Sequence, residues 1–118
     1  MAVIQIAVAY PLVLISQGAL PEPVDALATT NAEGNIVFTW TDNTGTGTAK
    51  VDDKVVLVAY FAEIKQIIYS LNAGTRAGGQ AILDTHLMQG VAAETWIGFL
   101  SADETNAADS VYTGTTSL

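Results

Sequence analysis

The chain contains one histidine, His86, and Asp84 lies two residues before it. A carboxylate beside an imidazole can form a general base, which a hydrolase uses to activate a serine or cysteine nucleophile. The chain has no cysteine, and no serine lies in a motif that marks a nucleophile. Because a catalytic site needs a nucleophile as well as a base, we interpret His86 as a surface residue satisfied by its own loop.

Acidic side chains cluster in two polar connecting segments, where their oxygen atoms could bind calcium. The first segment contains Asp42, Asn43, Asp52 and Asp53, and the second contains Asp103, Glu104 and Asp109. Their spacing is not that of an EF-hand loop, and Asp-Asn pairs at strand ends are ordinary turn residues. We therefore predict no metal and no cofactor, although the sequence leaves calcium binding by these loops open.

Two glycine-bearing segments, Thr44–Gly47 and Gly74–Gly79, could suggest phosphate binding. Neither follows a strand and opens a helix, as a phosphate-binding loop does. We expect the first segment to form a turn with positive φ, and we expect Arg76 to be a basic residue that meets an acidic patch on a neighbouring molecule. With no constellation of catalytic residues, the prediction is that the protein is not an enzyme.

The composition indicates assembly and argues against nucleic acid as a partner. The 118 residues carry a net charge of −8, which repels phosphate backbones and anionic membranes. Charged residues make up only 14% of the chain and apolar residues 50%, with a mean hydropathy of +0.37. A small domain with so few charges exposes apolar surface, which favours contact with another copy.

No segment of the sequence shows the hydrophobic periodicity of a helix. The residues that could do chemistry must therefore be positioned by strands. Two segments rich in β-branched and aromatic residues, Asn35–Trp40 and Lys54–Ala62, flank a polar connector and predict a buried hairpin. Within the first of them, Ile36, Phe38 and Trp40 are predicted to point into the core.

The remaining strands are predicted from shorter apolar runs. We expect Gln66–Leu71 to pair with the second arm of the hairpin, Gln80–Asp84 to form a short strand, and Glu94–Ser101 to pair with Asp109–Thr116. Residues 16–35 look irregular because Pro21 and Pro23 interrupt them. The sequence therefore predicts an all-β, immunoglobulin-like antiparallel sandwich of about seven or eight strands, spanning residues 17–118.

Residues 1–16 are predicted as an extended apolar N-terminal strand that a neighbouring subunit can exchange. The segment has no lysine or arginine, unlike a secretory signal, and Pro11 interrupts a run shorter than the roughly 20 residues of a membrane-spanning helix. We expect two short strands in line, at about residues 3–9 and 11–16, and no membrane insertion.

Several segments resemble known families. Phe38-Thr-Trp40, Val55–Tyr60 and Trp96–Asn106 are similar to strands of fibronectin type III and immunoglobulin-like sandwiches. From Leu12 onward, segments such as Asp52-Asp-Lys54 and Ser110-Val-Tyr-Thr-Gly114 resemble a domain family of unknown function from the Bacteroidota. Members of that family are longer at the N-terminus, and the resemblance implies no activity or catalytic residues.

The predicted function is that of a structural protein which assembles into homo-oligomers or polymers by β-strand addition, as an extracellular or cell-surface filament subunit. The predicted interface consists of apolar residues on two segments: Val3, Ile4, Ile6, Val8, Tyr10, Ile97 and Phe99. Ile97 and Phe99 have a second interpretation, as buried residues of a central strand. The alternative function is a binding module, of cell-surface or phage origin, that uses the loops around Thr44, Ala77 and Glu104.

Overall fold

The computed structural model describes residues 15–118, which form seven strands. These are β1 Val24–Thr30, β2 Ile36–Thr41, β3 Lys54–Phe61, β4 Gln66–Ser70, β5 Gln80–Leu83, β6 Ala92–Leu100 and β7 Val111–Ser117. They make a three-stranded sheet, β1-β2-β5, and a four-stranded sheet, β4-β3-β6-β7, in which all neighbours are antiparallel. The predicted antiparallel sandwich is confirmed.

The core lies between the two sheets and is lined by alternate residues of the central strands. Ile36, Phe38 and Trp40 of β2 are buried against Leu57 of β3 and Phe99 of β6. The rings of Trp40 and Phe99 meet edge to face, with their centroids 6.0 Å apart. The predicted inward face of β2 is therefore confirmed.

β2 and β3 do not form the predicted hairpin. β2 pairs with β1 and β5, whereas β3 pairs with β4 and β6 in the other sheet. The connector between them, residues 42–53, is longer than a typical hairpin loop and closes on itself through a hydrogen bond from Gly45 N–H to Ala49 O. The connector therefore carries the chain across the end of the sandwich, and the prediction of a hairpin is wrong.

β1 was not predicted, because its sequence lacks the apolar alternation of a half-buried strand. It lies at an edge of the smaller sheet, with a register shift between Val24 and Leu27 and a positive φ of 54° at Asp25. An irregular edge strand of this kind buries few side chains, so its sequence carries little pattern. The other predicted pairs are confirmed: β3 with β4, and β6 with β7.

Candidate functional site

His86 is a surface residue, as predicted. The side chains of His86 and Asp84 are 54% and 72% exposed, and the ring Nδ1 lies 2.5 Å from the Asp84 carboxylate. That hydrogen bond lowers the pKa of Asp84. The His86 carbonyl accepts a hydrogen bond from the Gln89 side chain, so the partners of this residue lie within its own turn.

The acidic side chains of the two connecting segments are held mainly by their own loops. Asp42 accepts hydrogen bonds from the hydroxyl and from the backbone N–H of Thr44, and these lower its pKa. Asp103 accepts hydrogen bonds from Thr105 and Ser101, which lower its pKa to about 2. Within residues 15–118, no group of three or more histidine and acidic side chains could hold a metal ion.

The glycine-bearing loop after β2 adopts the backbone that its sequence predicts. Gly45 and Gly47 have φ angles of 93° and 52°, a region that favours glycine. The loop precedes β3 rather than a helix, so it does not have the geometry of a phosphate-binding loop.

Arg76 does not face a neighbouring molecule, and that prediction is wrong. The side chain is fully buried, and its Nε donates a hydrogen bond of 2.8 Å to the buried Asp53 carboxylate. The terminal nitrogens donate to the Asn43 side chain at 2.7 Å and to the Pro21 carbonyl at 3.1 Å. A single cation therefore joins three connecting segments at one end of the sandwich.

Aromatic residues complete the environment of Arg76. Its guanidinium lies 4.0 Å from the centroid of the Phe99 ring, a cation–π contact. Its backbone carbonyl accepts a hydrogen bond of 2.8 Å from the Trp40 indole nitrogen. The side chains of the ion pair itself, Arg76 and Asp53, are buried from solvent.

Ile97 and Phe99 are fully buried between the sheets. Their burial agrees with the second interpretation, a buried central strand. The other predicted interface residues, Val3, Ile4, Ile6, Val8 and Tyr10, lie outside the described residues.

The outer face of the larger sheet is a surface that the sequence reasoning missed. Successive odd positions after the β3–β4 turn, Ile67, Tyr69 and Leu71, are 59%, 61% and 55% exposed. They lie beside Val56 and Val58, which belong to an apolar cluster on this outer side of β3 and β6. The alternation of Ile67, Tyr69 and Leu71 is the sequence signal that could have revealed it.

We call this surface the β3–β4 groove. It has a volume of about 410 Å³ and an apolar lining formed by Val56, Val58, Ile67, Tyr69, Leu71 and Leu100. Ile15, the first described residue, also lines the groove. Contiguous exposed apolar patches can mark interaction sites.

The first described residues are attached to the segment that leads into β7. Leu20 N–H donates to Ala107 O, Gly18 N–H to the Asp109 carboxylate, and Ser110 N–H to Ser16 O. Going backwards along the chain from Leu20 to Ser16, the hydrogen-bond partners move forwards from residue 107 to residue 110, towards the start of β7.

A second cavity, of about 300 Å³, lies among the connecting loops. Apolar atoms also contribute to its surface, but most of its lining residues are polar or charged, among them Lys50, Asp52, Asp103 and Asn106. It lies close to the Arg76 cluster, since Asp53 contributes to both.

These features define an antiparallel β-sandwich with an apolar outer face on its larger sheet. Residues 2–114 match a family of unknown function, DUF6266, and the chain belongs to that family. The match includes the apolar N-terminal segment, whereas the sequence resemblance began only at Leu12. No curated protein and no solved structure matches the chain.

Within the described residues, no helix is long and apolar enough to span a bilayer.

Proposed function

We propose that the protein is a non-enzymatic structural protein that self-assembles by β-strand addition. The observation that carries this proposal is that β4 lies at an edge of the larger sheet and that this part of a chain with few charges exposes the apolar row of Ile67, Tyr69 and Leu71. Such a surface is stable in water when another chain covers it.

The N-terminal segment supplies apolar side chains for the contact, at Val3, Ile4, Ile6, Val8 and Tyr10. Burying these side chains at about 1.5–3 kcal/mol each contributes on the order of 10 kcal/mol, which offsets much of the cost of association. The segment has no charged residue to protect a free strand edge, so coverage by a neighbour also prevents nonspecific aggregation.

The finer description, an extracellular or cell-surface filament subunit of immunoglobulin-like type from the Bacteroidota, is part of the same proposal. It is supported by the two-sheet architecture and by the sequence resemblance described above.

Sedimentation velocity and negative-stain microscopy of the full chain, compared with a variant lacking residues 1–9, test the proposal. We expect the full chain to form oligomers or filaments and the shortened chain to be a folded monomer. Leu87→Ser, on a side chain that is 83% exposed and distant in sequence from the groove, is the control and should assemble like the parent. A full chain that is monomeric at high concentration would rule the proposal out.

The alternative, a binding module that uses its loops, is favoured by the polar cavity of about 300 Å³. The Thr44 and Ala77 loops come together through the hydrogen bond from Arg76 to Asn43, and the Glu104 loop is joined to β3 by an ion pair with Lys54. A monomeric parent chain would favour this function, and ligand screening by NMR with Asp103 and Asn106 as reporters would then test it.

A further inference from the structure

We propose that residues 12–14 cover the outer face of the larger sheet of their own molecule, over Trp96 and Val58. This inference concerns a single molecule and stands apart from the proposed self-assembly, in which residues 3–10 contact a neighbour. It assigns the second half of the N-terminal segment to its own domain and leaves the first half for a partner.

Three apolar side chains on the outer face of the larger sheet are buried. Val56, Val58 and Trp96 are 7%, 6% and 2% exposed, and we call them the outer cluster. They alternate along β3 and β6 with Leu57 and Ile97, which belong to the core between the sheets. Their burial therefore does not come from the core.

The apolar residues packed against the outer cluster lie in the same layer as the cluster itself. Tyr60, Leu100 and Tyr112 belong to strands of the larger sheet, and the centroid of the Tyr112 ring lies 5.5 Å from that of Trp96. A large side chain on an open sheet face exposes its tip, as Ile67 does at 59%. The almost complete burial of Trp96 therefore requires a second layer above it.

The first described residues already lie on this face. Ile15 and Ser16 line the β3–β4 groove. The Ser16 hydroxyl is so close to β6 that a Cβ atom added to Gly98 would come within 2.7 Å of it. This hydroxyl donates a hydrogen bond of 2.8 Å to Ala108 O, and Ile15 N–H donates one of 2.7 Å to the Ser110 hydroxyl. The described chain therefore begins on the outer face, beside the outer cluster.

The residues that precede Ile15 have the length and the chemistry to cover the cluster. Trp96 lies two residues from Gly98 along β6, about 7 Å away, and residues 12–14 extend about 10 Å beyond Ile15 at the same rise per residue. Their sequence, Leu-Val-Leu, is wholly apolar. Residues 1–14 contain no charged side chain, and neither does the lining of the groove, so the contact buries no unpaired charge.

The chain's own segment is favoured over a second copy because it is attached beside the site. The hydrogen bonds of Ile15 and Ser16 hold its point of attachment on the outer face. A tethered segment binds at a high effective concentration, whereas a second copy must first offset the cost of association. Residues 12–14 of the same molecule therefore reach the cluster at any protein concentration.

The fluorescence of Trp96 in full-length variants tests the inference. The chain has two tryptophans, so Trp40→Phe leaves Trp96 as the single reporter, and acrylamide quenching measures its exposure. In this background, the test variant carries Leu12→Asn, Val13→Asn and Leu14→Asn. The matched control makes the same change in the first half of the segment, with Ile4→Asn, Ile6→Asn and Val8→Asn.

We expect the quenching constant of Trp96 to rise severalfold in the test variant and to stay at the parent value in the control. Circular dichroism checks that both keep their strands, and if the test variant loses them, Val13→Asn alone takes its place. Diluting the Trp40→Phe chain until it sediments as a monomer should leave the quenching constant unchanged.

Three results would overturn the inference. A constant that rises in the control would show that residues 4–8 cover Trp96, and one that rises on dilution would show that a neighbour does. An unchanged constant in both variants would show that the side chains of the sheet bury Trp96 by themselves. A parent that is monomeric at every concentration and keeps Trp96 protected would instead remove the proposed self-assembly and leave this inference standing.

Discussion

Arg76 is a buried cation whose polar and aromatic contacts all come from its own chain. It contacts Asp53 and Asn43 in the connector between β2 and β3, and Pro21, which lies 55 residues before it in the sequence. Burying an ion pair is costly, and the cost is offset only where hydrogen bonds satisfy both partners. Among the described residues, no buried side-chain nitrogen or oxygen lacks a partner, so this cluster meets that condition.

Arg76→Met is expected to destabilise the protein by about 3–5 kcal/mol, because it leaves the Asp53 carboxylate buried without its cation. The free energy of unfolding is measured by urea denaturation at a fixed protein concentration. Lys65→Met, which removes the same charge from an exposed turn, is the control and should change stability little. Adding Asp53→Asn to Arg76→Met should recover part of the loss. Equal stability of the Arg76 and Lys65 variants would contradict a structural role for the cluster.

Asp103 should titrate well below an ordinary aspartate. Its pKa is lowered from 3.8 to about 2, chiefly by the hydrogen bond from the Thr105 hydroxyl. Because the fold favours the ionised form, the associated stability is present above pH 3.8 and is lost as the pH falls through about 2. NMR titration of the carboxyl carbon measures this midpoint. Thr105→Val should move it upward, and an unshifted midpoint in the parent would show that the loop is open in solution.

At the level of single residues, the sequence predicted the exposed groups better than the buried ones. His86 and the turn glycines follow local rules, because their partners lie two or three residues away. Arg76 does not, because its partners come from up to 55 residues away and only the tertiary fold brings them together. From its sequence alone, the glycine-rich segment around Arg76 resembles a mobile loop.

Residues 15–20 act as a strap that fastens the start of the described chain to the segment before β7. Gly18 lies so close to Ala107 that a Cβ atom would come within 1.9 Å of the Ala107 carbonyl oxygen. A backbone atom cannot move aside as a flexible side chain can. Glycine is therefore required at this position for the strap to pack.

Gly18→Ala should detach the strap and accelerate hydrogen exchange of the Leu20 amide, which donates to Ala107 O in the parent. Exchange is followed by NMR at neutral pH and compared with the amides of β6. Gly78→Ala is the matched control, since its added Cβ would meet only ordinary contacts, the nearest at 3.6 Å. If the Leu20 amide exchanges equally fast in both variants, the strap is not held by this close approach.

At the level of elements, the sequence predicted most strands but not every pairing. The predicted pairing of β6 with β7 is confirmed. It could be predicted because a single polar loop joins the two segments. The assignment of β2 and β3 to one hairpin failed because hydrophobicity shows that both strands are buried but not which sheet holds each. The β3–β4 groove was missed because it depends on the register between β3 and β4, which places Tyr69 beside Val58.

The whole molecule carries a net charge of −8, so copies of it repel one another at long range. If apolar surfaces hold the assembly together, salt should strengthen it by screening this repulsion. Raising the ionic strength from about 0.01 M to 0.15 M shortens the Debye length from about 30 Å to about 8 Å. We expect the association constant, measured by sedimentation equilibrium, to rise severalfold.

A matched variant separates screening from other effects of salt. Asp52→Asn with Glu63→Gln removes two charges from exposed turns, so this variant should associate more tightly at low salt and depend less on salt. An assembly that weakens as salt is added would show that ion pairs, rather than apolar contacts, join the copies.

The strap also has a consequence for the way the protein is made. Ile15 N–H donates a hydrogen bond to the hydroxyl of Ser110, 95 residues later in the chain. At roughly 5–20 residues per second, a ribosome takes roughly 5–20 s to synthesise that interval. During this time the apolar N-terminus has already emerged while its fastening site does not yet exist. Until Ser110 has been made, residues 15–20 of a nascent chain therefore lack the segment that fastens them in the folded protein.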